Sequence, residues 1–147
     1  MKRRTISNRL REAEQHCVER SVRWTPLRRR VLELIIEAGR PIGAYDLLNQ
    51  FASAQTPRMP PSIYRTLDFL IQHGLVHKLI SLNAFIACVD FGQPVHDGQF
   101  AICTGCGKTV ELRDSALDAN LKRDVRDLGF KINQQIVELR GLCGACR

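Results

Sequence analysis

The sequence predicts an α+β chain in two parts, a helical N-terminal region and a smaller mixed region after it. Three patterns indicate this. Apolar residues recur at helical spacing up to about residue 73, two short strand-like stretches follow, and a strand–helix–strand pattern with two cysteine pairs fills residues 98–147. With 147 residues and 44% hydrophobic content, the chain can hold one ordinary domain or two small ones.

Positive charge is concentrated at the N-terminal end. Residues 1–30 contain ten lysines and arginines but three acidic residues, and the remainder is balanced. A one-sided basic surface attracts polyanions, so nucleic acid is the first partner to consider and an anionic membrane surface the second. A basic segment that is simply solvated is the alternative. Neither a membrane-length apolar run nor an apolar signal segment is present, and we therefore expect a cytoplasmic protein.

The first two helices are predicted from periodicity and capping. Residues 6–20 have helical spacing but weak amphipathicity, which indicates an accessory basic helix with Cys17 as a packed thiol and His16 as a surface imidazole. Thr25 is placed to cap the second helix, Pro26 suits its first position, and Gly39 ends its apolar face.

The next two helices resemble a DNA-reading pair. One has Ala44, Leu47, Leu48 and Phe51 inward and Tyr45 outward. The other runs from Ser62 to His73, and Arg65 projects away from its apolar face. Two helices joined by a loop, with an arginine near the start of the second, form a helix-turn-helix in which that end meets base edges. Arg65 is therefore the best candidate base reader, and an ordinary exposed arginine is the alternative.

A β-hairpin is predicted after Gly74. Its strands are expected on either side of a two-residue turn at Leu82-Asn83, which would set His77 directly opposite Cys88. An imidazole and a thiol side by side on a rigid ribbon make half of a metal site. Helices followed by a hairpin form a winged helix, whose wing would place Lys78 near phosphate. This domain is expected to occupy residues 1–89.

The turn-rich residues 90–97 are predicted to form a hinge, and residues 98–147 a separate α/β domain. Its helix is marked by Ser115 as the cap and Gly129 as the end, and its core-facing residues are expected to be Leu117, Leu121, Val125 and Leu128. About fifty residues make a marginal core, so such a domain usually needs a metal or a partner chain.

Two Cys-x-x-Cys pairs, Cys103/Cys106 and Cys143/Cys146, predict one tetrahedral zinc site. Zinc accepts four thiolates, and a two-residue spacer lets both sulfurs of each pair reach one ion. Apparent binding energies for such sites are on the order of 10–16 kcal/mol, which indicates a permanent structural ion. Two disulfides or a redox pair are the alternatives.

Taken together, these residues resemble the Fur family of metal-dependent repressors, and within it most closely the zinc-sensing class. The motifs that carry the resemblance cover nearly the whole chain: Thr25-Pro26-Leu-Arg, Pro61-Ser-Ile-Tyr64-Arg65-Thr-Leu, Gly74-Leu-Val-His77 and the cysteine pairs. The resemblance implies a homodimer formed through the C-terminal domain, a winged helix that binds double-stranded operator DNA, and a metal corepressor. It implies neither an enzyme nor a small-molecule substrate.

The resemblance also implies a regulatory zinc site at His77, Cys88, His96 and Glu111, which makes two zinc ions per chain. DNA contacts are expected from Arg28, Tyr45, Ser62, Tyr64, Arg65 and Lys78. Iron sensors of the family carry a His-rich run before the first cysteine pair, whereas this chain has Pro94-Val-His96-Asp-Gly there. A sensor of iron, manganese or nickel is the alternative within the family. A zinc-ribbon or thiol-redox adaptor would leave the winged helix unexplained.

Overall fold

The computed structural model describes residues 5–52, 60–91 and 97–147, which form two compact units, 5–91 and 97–147. The first has four helices and a hairpin, and the second has a three-stranded sheet and one helix. The predicted α+β class and winged-helix order are confirmed. Within the described ranges, every helix is too short or too polar to cross a bilayer.

The elements of the first unit follow one another with short connections. They are α1 (Ile6–Glu19), α2 (Pro26–Ala38), α3 (Ala44–Ala52), α4 (Pro60–Gln72), β1 (Val76–Leu79) and β2 (Ala84–Ala87). Thr25 caps α2 as predicted by accepting a hydrogen bond from the backbone N–H of Arg28 at 3.2 Å. Gly39 ends α2 in the left-handed conformation at φ 60°, where a side chain would be strained.

Helices α3 and α4 pack on α2 through buried Leu47, Ile63 and Leu67, which leaves Tyr45 and Arg65 exposed. Helix α4 begins at Pro60, two residues before the predicted start. Proline is favoured in the first helical turn because its missing N–H has no intrahelical acceptor there. The predicted loop from Gln55 lies largely outside the described residues.

Helix α1 is part of the core of the first unit. Its Leu10, Ala13 and Cys17 are buried with residues of α2, α4 and the hairpin, and burial raises the pKa of the Cys17 thiol. The prediction of a surface imidazole at His16 is wrong, because only 3% of its surface is exposed. Arg20 donates to His16 Nδ1 at 3.0 Å, so Nε2 carries the hydrogen and donates to the carbonyl of His73 at 2.9 Å.

The hairpin register differs from the predicted one by two residues. His77 pairs with Ile86, and the backbone N–H of Cys88 donates to the carbonyl of Leu75 at 3.0 Å. The turn spans four residues because Asn83 adopts a positive φ of 45° and its N–H bonds back to the carbonyl of Ile80. Since side chains alternate faces with a period of two, this shift leaves His77 and Cys88 on the same face as diagonal neighbours.

In the second unit, the sheet order is β4-β3-β5, where β3 is Gly98–Cys103, β4 is Thr109–Glu111 and β5 is Ile136–Gly141. Strands β3 and β5 are parallel and are connected through α5 (Ser115–Asp127). Asp114, rather than the predicted Ser115, caps α5: its Oδ1 accepts from the N–H groups of Ala116 and Leu117, both at 2.9 Å.

A partly buried amide–carboxylate network fixes α5 to the sheet. Gln99 Nε2 on β3 donates to the Asp118 carboxylate at 2.7 Å, and Gln135 Nε2 donates to the same oxygen at 2.6 Å. The predicted core-facing role of Leu128 is wrong within this chain, because 75% of its surface is exposed and no α5 residue is fully buried. The helix is thus attached by polar contacts, and much of its apolar face stays open.

Candidate metal centres and nucleic-acid interface

The β3–β5 pairing brings the two cysteine pairs together. Cys103 ends β3 and is paired with Gly141 at the end of β5, so Cys143 begins the next turn beside it. Backbone hydrogen bonds extend this pairing, since Thr104 N–H donates to the carbonyl of Gly141 at 2.7 Å. Residues far apart in sequence therefore meet because parallel strands end at the same edge.

The geometry of the four cysteines fits a zinc ion. Their Sγ atoms all lie within 4.8 Å of one another, and those of Cys106 and Cys143 are 3.7 Å apart. Four Zn–S bonds of about 2.3 Å at tetrahedral angles require sulfur separations of about 3.8 Å. A disulfide needs sulfurs about 2.05 Å apart, and all four cysteines are unbridged. Cys103, Cys106, Cys143 and Cys146 therefore lie close enough together to hold one four-thiolate ion.

Gly105 allows the two pairs to approach closely. A Cβ atom at this position would lie 3.1 Å from the Cβ of Cys146, 3.2 Å from its Sγ and 3.3 Å from a methyl group of Leu142. These distances are shorter than ordinary van der Waals contacts. The second pair thus packs directly on the backbone of the first.

The thiols influence each other's ionisation. Backbone N–H groups of Cys143 and Cys106 lower the pKa of Cys103 to about 6, and the N–H of Cys143 lies 3.3 Å from its sulfur. Hydrogen bonds with the thiols of Cys143, Cys106 and Cys103 raise the pKa of Cys146 to about 12. Neighbouring negative charges oppose one another, whereas a divalent cation would deprotonate all four sulfurs.

His77 and Cys88 form a second pair of ligands within the first unit. A ring nitrogen of His77 and the sulfur of Cys88 lie within 4.8 Å of each other, and Cys88 is fully buried. The thiol of Cys88 also lies 3.6 Å from the carbonyl oxygen of Asp90. Although the predicted register is wrong, the diagonal placement on the hairpin still sets His77 beside Cys88.

The other two residues expected at this site belong elsewhere in the chain. Glu111 is the last residue of β4 in the second unit and is half-buried. His96 lies outside the described residues.

Arg9 contacts the chain next to Cys88, and sequence reasoning missed it. Its guanidinium donates to the carbonyl of Cys88 and lies 4.9 Å from the centre of the Phe91 ring. The two partners are about eighty residues away along the chain, so no local pattern marks Arg9.

All six residues expected to contact DNA have at least partly accessible side chains in the first unit. Tyr45 on α3 is 74% exposed and Tyr64 on α4 is 50% exposed. Arg65 and Lys78 are also exposed, and Ser62 is half-buried in the first turns of α4. Aromatic and basic groups on two consecutive helices offer stacking, apolar and hydrogen-bonding contacts to bases and phosphates.

The sixth residue, Arg28, lies in a different environment. Its guanidinium stacks over the ring of Phe69 at 3.4 Å and donates to the carbonyl of Arg23. Arginine binds aromatic faces through its planar delocalised charge, so these contacts hold α2 against α4. Arg29 beside it on α2 is exposed.

Comparison with known proteins identifies the family. The model of the Ferric uptake regulator family matches residues 19–140, and the chain belongs to this family. It is 37% identical to the zinc uptake regulation protein of Escherichia coli strain K12 over 146 residues, which covers 99% of this chain and 85% of that protein.

Two solved structures are similar over nearly the whole chain. One is a zinc uptake regulator complexed with zinc and DNA, with a TM-score of 0.92 and 37% identity, covering 98% of this chain and 96% of the other. The second is holo XcZur, with a TM-score of 0.90 and 42% identity, covering 97% and 98%.

Proposed function

We propose that this chain is a zinc-responsive transcriptional repressor that binds operator DNA as a homodimer and controls zinc uptake genes. The observation that carries the proposal is the His77–Cys88 pair, which places a thiol and an imidazole on the wing of a DNA-binding unit. The similarity to the zinc uptake regulation protein of E. coli supports it. Such a protein acts without catalysis and works in the cytoplasm, where the operator is.

Two zinc ions per chain fit the ligands available. Cys103, Cys106, Cys143 and Cys146 hold the structural ion, and their sulfur spacing already suits it. His77, Cys88, His96 and Glu111 hold the regulatory ion. One thiolate and one carboxylate balance the charge of Zn²⁺, so this site fills and empties without leaving a large uncompensated charge.

The regulatory ligands come from three parts of the chain. His77 and Cys88 belong to the wing, His96 to the segment that connects the two units, and Glu111 to the second unit. Together they would hold one zinc ion, which would cross-link the three parts. The residues that converge on it then hold the winged helix in one orientation, which is the one that matches successive major-groove half-sites about 34–36 Å apart.

The energy required for this control is within reach of four ligands. Converting a population that is mostly unable to bind the operator into one that is mostly able to bind it needs up to about 5.5 kcal/mol of difference in zinc affinity between the two forms. The four ligands supply that difference if they assemble only in the form that binds the operator. Thermodynamic reciprocity then requires operator DNA to tighten zinc binding by the same factor.

The open apolar face of the second unit supports the homodimer. Leu128 and Phe130 are 75% and 71% exposed, and a cavity of about 580 Å³ lies between α5 and the segment leading into β5. Strand β5 is also an edge strand. Exposed apolar groups and an open strand edge are unfavourable in a lone protomer, and a second copy covers both.

Zinc is favoured over the other metals of the family by the thiol of Cys88. Manganese and ferrous iron prefer oxygen and imidazole donors, whereas zinc accepts a thiolate with imidazole and carboxylate in a tetrahedral set. A nickel sensor shares the fold and is the second candidate.

The Cys88→Ala variant tests the function. We expect a folded dimer that keeps its four-cysteine zinc and loses the gain in operator affinity on zinc addition. Operator fragments can be selected from random DNA with the zinc-loaded wild-type protein, and affinity measured by fluorescence anisotropy with and without zinc. An unchanged zinc response in Cys88→Ala would refute the regulatory site, and a larger response to nickel than to zinc in the wild type would refute the metal.

A further inference from the structure

The backbone around Cys88 is held from both sides. Its own N–H donates to the carbonyl of Leu75 and so continues the hairpin ladder beyond β2. Its carbonyl accepts from Arg9 on α1, which is half-buried. Two peptide groups that flank one Cα atom are thereby fixed, and this determines the direction in which the Cys88 side chain leaves the backbone.

Arg9 makes a second contact with the same segment. Its guanidinium lies over the ring of Phe91, 4.9 Å from the centroid, and Phe91 is 8% exposed. Phe91 and Cys88 are buried in the same core as Leu10, the neighbour of Arg9 on α1. A planar guanidinium can bond a carbonyl in its plane and stack on a ring through its face, whereas an ammonium lacks this combination.

We propose that Arg9 is a positioning residue for the regulatory zinc site. It fixes the Cys88 carbonyl and the Phe91 ring together, so that the thiol of Cys88 stays beside the imidazole of His77 before the metal arrives. This inference rests on the proposed function and adds a component of the sensor that lies in α1. Because α1 belongs to the basic N-terminal region, zinc occupancy and the placement of that region are linked through one side chain.

The test compares Arg9→Gln with a charge-matched control. Arg11 lies on the same helix, is exposed, and bonds to Asn8 at 3.2 Å. Arg11→Gln therefore removes the same charge from α1 without the contacts at Cys88 and Phe91. Zinc affinity at the regulatory site is measured by competition with a chelator, in protein that retains its four-cysteine zinc.

We expect Arg9→Gln to weaken zinc binding at the regulatory site about tenfold, because a charge-assisted hydrogen bond that preorganises the ligand is lost. Arg11→Gln should retain wild-type zinc affinity. Arg9→Lys keeps the charge and should fall between Arg9→Gln and the wild type. Cobalt(II) gives a second reading, since the thiolate-to-cobalt charge-transfer band of the regulatory site should appear at correspondingly higher cobalt concentration in Arg9→Gln.

A third variant distinguishes a general loss of fold stability from a loss of the positioning of Cys88. Leu10 is 1% exposed, so Leu10→Val lowers the stability of the same core without removing the guanidinium. Weaker zinc binding in Arg9→Gln but not in Leu10→Val supports the positioning role. Equal weakening in both, or wild-type affinity in Arg9→Gln, overturns it. Failure of the proposed function is distinguishable, because then Cys88→Ala itself would keep the zinc response.

Discussion

At the scale of single residues, the four-cysteine centre depends on the lack of a Cβ atom at residue 105. Gly105 has no side chain, and the space that a Cβ would need is filled by Cys146 and Leu142. Gly144 belongs to the other cysteine pair, and a Cβ atom added to it would have nothing within 4 Å. Gly105 precedes the second cysteine of its pair, whereas Gly144 follows the first cysteine of the other pair, and only Gly105 is sterically required.

We predict that Gly105→Ala weakens zinc retention and that Gly144→Ala has little effect. Steric overpacking typically costs about 1–3 kcal/mol, which corresponds to roughly a fivefold to 150-fold loss of affinity if the strain falls on the metal-bound form. Release of zinc to a chromogenic chelator measures the difference. Similar release rates for the two variants would show that the second pair moves aside without cost.

The sequence allowed some residue roles to be predicted and others not. The spacing within each Cys-x-x-Cys pair is local, so the ligands of the structural site could be proposed from sequence. The contact of Arg9 with Cys88 spans 79 residues and that of His16 with His73 spans 57, and such long-range contacts produce no periodic pattern in the sequence. The surface position predicted for His16 is therefore wrong, and no local sequence pattern marks Arg9.

At the scale of elements, helix positions followed from periodicity while their ends depended on side-chain chemistry. The apolar faces of α2, α3 and α4 are where a period of 3.6 residues placed them. At α5, both Asp114 and Ser115 are good caps, and the structure uses Asp114. The hairpin register depended on the conformation of Asn83, since a four-residue and a two-residue turn are both compatible with the same alternation.

Helix α4 and the wing should contribute differently to DNA binding. We predict that Arg65→Ala lowers operator affinity by about 1–3 kcal/mol and relaxes base preference, because an exposed arginine can bond a guanine edge through two nitrogens. Lys78→Ala should weaken binding to all sequences and reduce the salt dependence by about one unit of slope, because a phosphate contact is lost.

Both variants are measured by anisotropy across a salt series, with the selected operator and a scrambled duplex of equal length. Arg65 projects from α4 without a described buried contact, so its removal should leave the fold intact. Equal losses on the two duplexes for Arg65→Ala would make Arg65 a phosphate contact instead.

At the scale of the whole molecule, the two units differ in how they are stabilised. The first has a continuous apolar core that draws on α1, α2, α3, α4 and the hairpin. In the second, α5 has no fully buried residue and is fixed by the hydrogen bonds among Gln99, Asp118 and Gln135. The second unit therefore has greater need of metal and of a partner protomer.

We predict that Cys143→Ser removes the structural zinc and abolishes dimerisation while the first unit stays folded. Structural zinc contributes on the order of 10–16 kcal/mol in comparable sites, more than a small domain has in reserve. Sedimentation velocity gives the oligomeric state, metal analysis the zinc content, and hydrogen exchange the order of each unit. If Cys143→Ser remained a zinc-replete dimer, the four-cysteine site would not be the structural zinc site.

The parallel pairing of β3 with β5 has a consequence for the kinetics of folding. Parallel strands separated by a helix must close a long loop before they gain contacts, which makes such pairings slow to form. Here the first cysteine pair begins at the end of β3 and the second pair follows the end of β5. A zinc ion bound first by Cys103 and Cys106 can therefore fix the end of β5 as soon as Cys143 and Cys146 also bind it. The refolding rate of the second unit should then rise with free zinc until capture is no longer limiting.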